Sequence, residues 1–203
     1  MSEIVKIVCL KVRSLLLDFQ KSKKIPRQLF DSEVTISDIK SCMSSLSLDE
    51  QKVADDLIEV YKIYASKNLA RIKHNLRSEY NEILNEQQSR SSEFAFPEIM
   101  NKYRDSINPL LALHYEIKRW SWNYDPDDLY QQWLIDTVSD HFFHTKVTTA
   151  LKEDIIVFKN IIKKYSILFE VDKEIPLELF HAKQRIKEFE SCLDELSKVG
   201  GYE

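Results

Sequence analysis

Residues 47–88 read SLDEQKVADDLIEVYKIYASKNLARIKHNLRSEYNEILNEQQ, a stretch with neither proline nor glycine. Ser47 and Glu50 form a capping-box pattern, in which the serine hydroxyl accepts a hydrogen bond from the Glu50 backbone amide and the glutamate side chain accepts one from the Ser47 backbone amide. Apolar and aromatic residues then recur at helical spacing: Val53, Leu57, Val60, Tyr61, Tyr64, Leu69, Ile72, Leu76, Tyr80 and Ile83. We predict one long central helix over about residues 48–88, roughly 60 Å in length, with a bend near residues 66–68 as the alternative.

Helical patterns also flank this stretch on both sides. Apolar residues at three- and four-residue spacing predict an amphipathic helix over residues 3–21, and short helical segments are expected after Pro26 and after Thr35 or Ser37. Pro176 begins a last helix, whose apolar residues alternate as a and d positions of about three heptads. Those positions are Leu179, Ala182, Ile186, Phe189, Leu193 and Leu196.

These patterns together predict an all-α fold. The expected architecture is an irregular bundle of about six to eight helices around the long central one. At 203 residues the chain can bury one core, so we expect a single helical domain over residues 1–203. A small N-terminal helical subregion, residues 1–46, is the alternative division.

Glycine is nearly absent from the chain, because Gly200 and Gly201 are the two that it has. Phosphate-binding loops of the Gly-x-Gly-x-x-Gly and P-loop types need glycine where the backbone approaches the ligand, and the Gly-x-Ser-x-Gly nucleophile elbow needs it at a sharp turn. The sequence therefore excludes the common nucleotide-binding and hydrolase signatures. No catalytic residue and no cofactor is predicted.

The cysteines and the apolar runs bear on location. The chain has three widely spaced cysteines, Cys9, Cys42 and Cys192. An odd number at such spacing predicts buried structural thiols in a reducing compartment and neither a disulfide framework nor a zinc knuckle. The possibility that one of them is a catalytic nucleophile stays open. Charged residues interrupt the first helix, which therefore does not resemble a signal peptide. With no run of about 18 apolar residues, we expect no transmembrane segment and an intracellular protein, cytoplasmic or nuclear.

All three tryptophans of the chain lie near an acidic turn of sequence DPDD. The acids fit a helix start, with Asp125 as the N-cap and Pro126 at the first helical position. The tryptophans would then pack together where two helices meet. If the turn is exposed instead, it becomes a partner-binding anchor, because Trp and Tyr are enriched among interface hot spots. The residues of that anchor would be Trp120, Trp122 and Tyr124.

One acidic and histidine-rich stripe is a candidate metal site. Asp136, Asp140 and His144 fall one turn apart on the same helical face. A single helix supplies at most two well-directed ligands, so a second pair is needed, and Glu178 and His181 form the one Glu-x-x-His of the chain. The candidate ligands are thus Asp140, His144, Glu178 and His181. A solvated acidic face with capping or core histidines is the structural alternative.

Two basic groups could meet phosphates of nucleic acid or of lipid head groups. They comprise Lys23, Lys24, Arg27, Lys67, Arg71 and Arg77. The net charge of −4 and a pI near 5.8 argue against nucleic acid, whereas contact with a membrane surface stays open. Glu79 and Glu82 can pair with these bases along the helix, which makes a solvated helical face the structural alternative.

By elimination, the sequence favours a non-catalytic interaction protein: a scaffold, adaptor or subunit of a multi-protein assembly. Its partners would be other proteins, or a second copy through the heptad-patterned, coiled-coil-like last helix. The alternative class is a helical-bundle enzyme or ligand-binding protein with an acid and histidine site between helices.

Overall fold

A computed structural model describes residues 3–91, 113, 116, 118–119, 125–129, 131–133, 136 and 140–200. Every regular element within these residues is helical, and none of them lies in a strand. The predicted all-α class is therefore confirmed. None of the helices in these ranges combines the length and apolar character that a membrane span requires.

The helices follow one another in chain order with short connections. The first group comprises α1 (Glu3–Ser22), α2 (Arg27–Phe30), α3 (Ile36–Cys42), α4 (Leu48–Lys67) and α5 (Leu69–Ser91). A single 3-10 turn, Met43–Ser45, directly follows α3. The second group comprises α6 (His141–Lys164), α7 (Leu168–Val171) and α8 (Leu177–Gly200). Several residues between 113 and 136 are also helical.

The long helix predicted over residues 48–88 is divided in two at Asn68, inside the stretch where the sequence left room for a bend. The Asn68 side chain donates to the Tyr64 carbonyl at 2.8 Å, and its backbone N–H donates to both Tyr64 and Ala65 at 3.1 Å. The Asn68 carbonyl then accepts from Ile72 at 3.0 Å, which begins α5. Asparagine competes well for such local backbone bonds, so this one residue ends α4 and starts α5.

Capping boxes start two of the helices. Before α4, Glu50 N–H donates to Ser47 Oγ at 3.3 Å and Ser47 N–H donates to Glu50 Oε2 at 2.7 Å, as predicted. Before α3, Thr35 and Asp38 make the same exchange at 3.2 and 2.9 Å. Each box satisfies two backbone donors that would lack a partner at the helix start, which explains why these helices begin where they do.

The acidic turn also caps a helix, but through a different residue than predicted. Asp125 accepts from the Asp127 N–H at 3.0 Å, which closes a local turn, and the first helical residue is Leu129. The N-cap role belongs to Asp128, whose Oδ1 accepts from the Gln131 N–H at 3.3 Å. The assignment of Asp125 as N-cap was therefore wrong, because its carboxylate is already used inside the turn.

The chain divides into two compact units. Unit 1 consists of Met1–Arg77 and Ile161–Leu179, and unit 2 consists of Ser78–Asn160 and Phe180–Glu203. The single domain expected over residues 1–203 stays a prediction.

Within unit 1, α1 packs against two other helices. It packs on α3 and on α4, and α4 in turn contacts α7. The contacts bury the apolar face of α1 that the sequence predicted, including Val12, Leu15 and Leu16. Burying a Val or Leu side chain stabilises a fold by about 1.5–3 kcal/mol, so this face contributes several kcal/mol to the stability of unit 1.

Within unit 2, three aromatic rings meet in the core. Phe158 of α6 lies 6.0 Å from the Tyr80 ring of α5 and 6.2 Å from the Phe189 ring of α8, between ring centroids. All three side chains are buried. Helix α8 buries five of its six predicted heptad positions, and Leu193 is half-buried. The apolar stripe of α8 is therefore already covered, and coiled-coil packing along it stays a prediction.

Candidate functional site

Helix α1 is apolar on two faces, and the second face is exposed. Ile4, Ile7, Leu10 and Leu17 have exposed fractions between 52% and 74%, and together they form what we call the outer stripe. At about 3.6 residues per turn, Ile7, Leu10 and Leu17 point away from the buried face of α1, and Ile4 lies at the edge. Ile7, Leu10, Ser14 and Leu17 have the three-four-three spacing with which one helix packs along another.

Two lysines border the outer stripe. Lys6 lies on one side and Lys11 on the other, and both are exposed. Glu3 and Asp18 lie towards the two ends of the helix, where the Asp18 carboxylate accepts from Gln28 at 3.4 Å. The outer stripe is thus mainly apolar along its middle and has a positively charged residue on each side. Helix–helix interfaces in which flanking charges determine the partner have the same arrangement.

The position of α1 is held by polar contacts as well as by its buried face. Arg13 donates to the Ser45 carbonyl at 2.8 Å and lies 3.5 Å from the Glu50 carboxylate. These contacts tie α1 to the 3-10 turn and to the start of α4. An interface built on such a preorganised helix loses little entropy on binding, so the outer stripe is suited to recognition.

Unit 1 also contains a cavity of about 380 Å³. Its lining combines three basic side chains from α5 with the start of α8: Ala70, Lys73, His74, Arg77, Pro176, Leu177 and Glu178. Arg77 donates to Glu178 at 2.9 Å, and Lys73 forms an ion pair with Asp172. Two of the basic side chains that line the cavity, Lys73 and Arg77, are therefore already paired with carboxylates of the protein.

The predicted basic residues are mostly engaged in contacts within unit 1. Lys23 has a positive φ of 54° and its Nζ lies 6.0 Å from the centre of the Phe19 ring. Arg27 pairs with Asp31 at 3.0 Å, and Arg71 donates to the Tyr64 hydroxyl at 3.0 Å. Lys24 and Lys67 are exposed. The phosphate-binding role of these residues stays a prediction.

The predicted metal ligands have other contacts. His144 Nε2 lies 3.3 Å from the Leu196 carbonyl oxygen, the Glu178 carboxylate accepts from Arg77, and the His181 ring lies 5.9 Å from the Phe180 ring. In the ranges that the structure describes, no group of three or more His, Cys, Asp or Glu residues is placed to share an ion. The metal site stays a prediction from sequence.

The predicted aromatic anchor, Trp120, Trp122 and Tyr124, lies outside the described residues. The third tryptophan, Trp133, is described and has an exposed fraction of 41%. The outer stripe of α1, in contrast, was missed by sequence reasoning. Its signal was present in the sequence, because α1 carries more apolar residues than one buried face needs.

Comparison of the chain with protein-family models, curated proteins and solved structures found no match.

Proposed function

We propose that this protein is a non-catalytic interaction module, a scaffold, adaptor or subunit of a larger assembly, whose docking surface is the outer stripe of α1. The observation that carries the proposal is the exposure of Ile4, Ile7, Leu10 and Leu17 along a helix that is held in place by its opposite face. Exposed apolar patches of this kind mark interaction sites in soluble proteins.

The occupant that fits the stripe is an amphipathic helix of a partner protein. The three-four-three spacing matches a second helix laid alongside α1. Lys6 and Lys11 on the two margins favour acidic residues beside the partner's apolar face. A second copy of this chain fits less well, because parallel or antiparallel pairing would bring the two sets of marginal lysines close to one another.

Replacing Leu10 with Glu should weaken partner binding at least about tenfold, which corresponds to about 1.4 kcal/mol, because a carboxylate would be buried in the centre of the contact. Sedimentation of the purified protein first establishes whether it is monomeric. Partner proteins are then captured from the native cell extract and each is titrated, after purification, against the wild type and the Leu10→Glu variant. Hydrogen exchange of the complex should show protection within residues 3–18.

Ile63→Glu provides the matched control, since Ile63 is an exposed apolar residue of α4 in the same unit, with an exposed fraction of 50%. This variant should bind the partner as the wild type does. Equal affinities for Leu10→Glu and wild type would reject the outer stripe as the docking surface. If the wild type is a homo-oligomer and Leu10→Glu dissociates it, the occupant of the outer stripe is a second copy of this chain and not a helix of another protein.

We further propose an intracellular location, cytoplasmic or nuclear. Its support is that Cys9, Cys42 and Cys192 are all buried as free thiols, and cytosolic and nuclear proteins keep their thiols reduced.

The cavity of unit 1 supports a second candidate function, the binding of a small anion. Its lining brings Lys73, His74 and Arg77 together with Glu178, an acid and histidine site between helices of the kind that the alternative class requires. An anionic ligand would take the place that the Glu178 carboxylate now occupies beside Arg77.

Inorganic phosphate is the probe for this candidate. The Glu178→Gln variant should bind phosphate about tenfold more tightly than the wild type, because it frees Arg77 from a charge-assisted pair. Arg77→Gln in the same background should lose that gain, as measured by isothermal titration. If neither variant differs from the wild type, phosphate does not enter this cavity and the candidate is rejected.

A further inference from the structure

Two cysteines that are far apart in sequence meet in the core of unit 1. Cys9 of α1 and Cys42 of α3 have their sulfur atoms 2.7 Å apart, in a hydrogen bond that spans 33 positions of sequence. A disulfide bond measures about 2.05 Å, so the sulfurs need to approach by roughly 0.7 Å to bond. Both residues are buried free thiols, with Cys9 at 7% and Cys42 at 1% exposure.

The two thiols differ in acidity because their surroundings differ. Hydrogen bonds with Cys42 and with Ser45, helped by the charge of Arg13, lower the pKa of Cys9 below its ordinary value. Burial, together with the hydrogen bond to Cys9, raises the pKa of Cys42 to about 11. Cys9 is therefore the more acidic thiol of the pair. The thiolate is the reactive form of cysteine, and Cys9 is also the more exposed of the two.

We propose that Cys9 and Cys42 form a reversible dithiol–disulfide site that reacts with peroxide. In the first step the Cys9 thiolate attacks one oxygen of hydrogen peroxide, the O–O bond breaks, and Cys9 sulfenic acid and hydroxide form. In the second step Cys42 sulfur attacks the Cys9 sulfur, an S–S bond forms, and the sulfenic oxygen leaves as water with the Cys42 proton. The two sulfurs are oxidised by two electrons in total, and the peroxide is reduced. A small dithiol restores both thiols by exchange.

The third cysteine provides an internal reference. Cys192 of α8 belongs to unit 2 and is fully buried, and burial raises the pKa of this thiol to about 12. A thiol with so high a pKa contains little thiolate at neutral pH. Cys192 should therefore react far more slowly than the Cys9–Cys42 pair.

The test is tryptic mapping of the folded full-length chain after brief treatment with hydrogen peroxide and alkylation of the remaining thiols. The expected product joins the peptides IVCLK, residues 7–11, and SCMSSLSLDEQK, residues 41–52, while EFESCLDELSK, residues 188–198, is recovered alkylated. Treatment with a small dithiol before alkylation should remove the joined species. The variant Cys192→Ser, which keeps both reacting thiols, should give the same joined peptides.

Cys9→Ser and Cys42→Ser should each abolish the joined species, and circular dichroism establishes that each variant keeps its helices. Oxidation of the chain in denaturant gives the reference pattern for cysteines that meet at random. In that pattern we expect the peptide of residues 188–198 to appear in joined species as well. The proposal is overturned if the folded Cys192→Ser variant gives no joined species, or if the folded wild type reproduces the pattern of the denatured chain.

Discussion

Replacing Phe158 with Ala should lower the free energy of unfolding by about 4 kcal/mol, the middle of the range for truncating a buried phenylalanine. Phe158 is fully buried in unit 2, and its ring contacts both the Tyr80 and the Phe189 rings. The substitution removes the ring from the centre of this cluster and leaves a cavity that rigid helices fill poorly. Urea denaturation followed by circular dichroism measures the change.

The matched control is Ile156→Ala on the same helix. Ile156 has an exposed fraction of 57%, so its removal should change stability by less than about 0.5 kcal/mol. Phe158→Leu should fall between the two variants, because leucine fills part of the cavity. If Phe158→Ala costs no more than Ile156→Ala, the aromatic cluster does not hold the helices of unit 2 together.

The helical elements were predictable from the sequence where local chemistry determines them. Ser47 and Glu50 cap α4 because their side chains reach backbone groups three positions away, which is a short-range interaction. The apolar spacing of α8 likewise predicts which of its residues are buried. The division at Asn68 was harder to predict, since asparagine is tolerated inside helices and ends one when its side chain bonds to the preceding turn.

The candidate sites were less predictable because they depend on contacts between distant segments. Cys9 and Cys42 each looked like an isolated core thiol, and only the packing of α1 on α3 brings them together. Arg77 likewise contacts Glu178, which lies 101 positions away, whereas a single sequence suggests only partners one helical turn away. For the outer stripe, the sequence predicted the buried face of α1, but only the packing of unit 1 shows that the second apolar face is left exposed.

Replacing Arg90 with Gln should lower the free energy of unfolding at pH 7 by about 3 kcal/mol. Arg90 forms an ion pair with Asp154, whose side chain is only 3% exposed. Without Arg90 the carboxylate of Asp154 would be buried without the cation that it now pairs with, or would have to take up a proton at neutral pH. This loss is at the low end for buried pairs because Arg90 itself is 42% exposed. Urea denaturation at pH 7 measures the loss.

The effect of this substitution should depend on pH. Burial raises the pKa of Asp154 above its ordinary value, although the charge of Arg90 opposes the rise. A carboxyl whose pKa is raised on folding contributes stability below its unfolded pKa of about 3.9, and this contribution is lost as pH rises through the folded pKa. Removing Arg90 raises the folded pKa further, so the loss should be largest near neutral pH and small once Asp154 is protonated in both states.

A double-mutant cycle separates this pair from the neighbouring one. Arg90 also lies 3.6 Å from Glu153, whose side chain is 62% exposed, so Glu153→Gln should change stability by less than about 0.5 kcal/mol. In an Asp154→Asn background, Arg90→Gln should cost less than about 1 kcal/mol, because no buried charge is left to compensate. An equal cost in both backgrounds, or a cost that does not change between pH 4 and pH 7, would mean that Arg90 stabilises unit 2 through packing and not through the charge of Asp154.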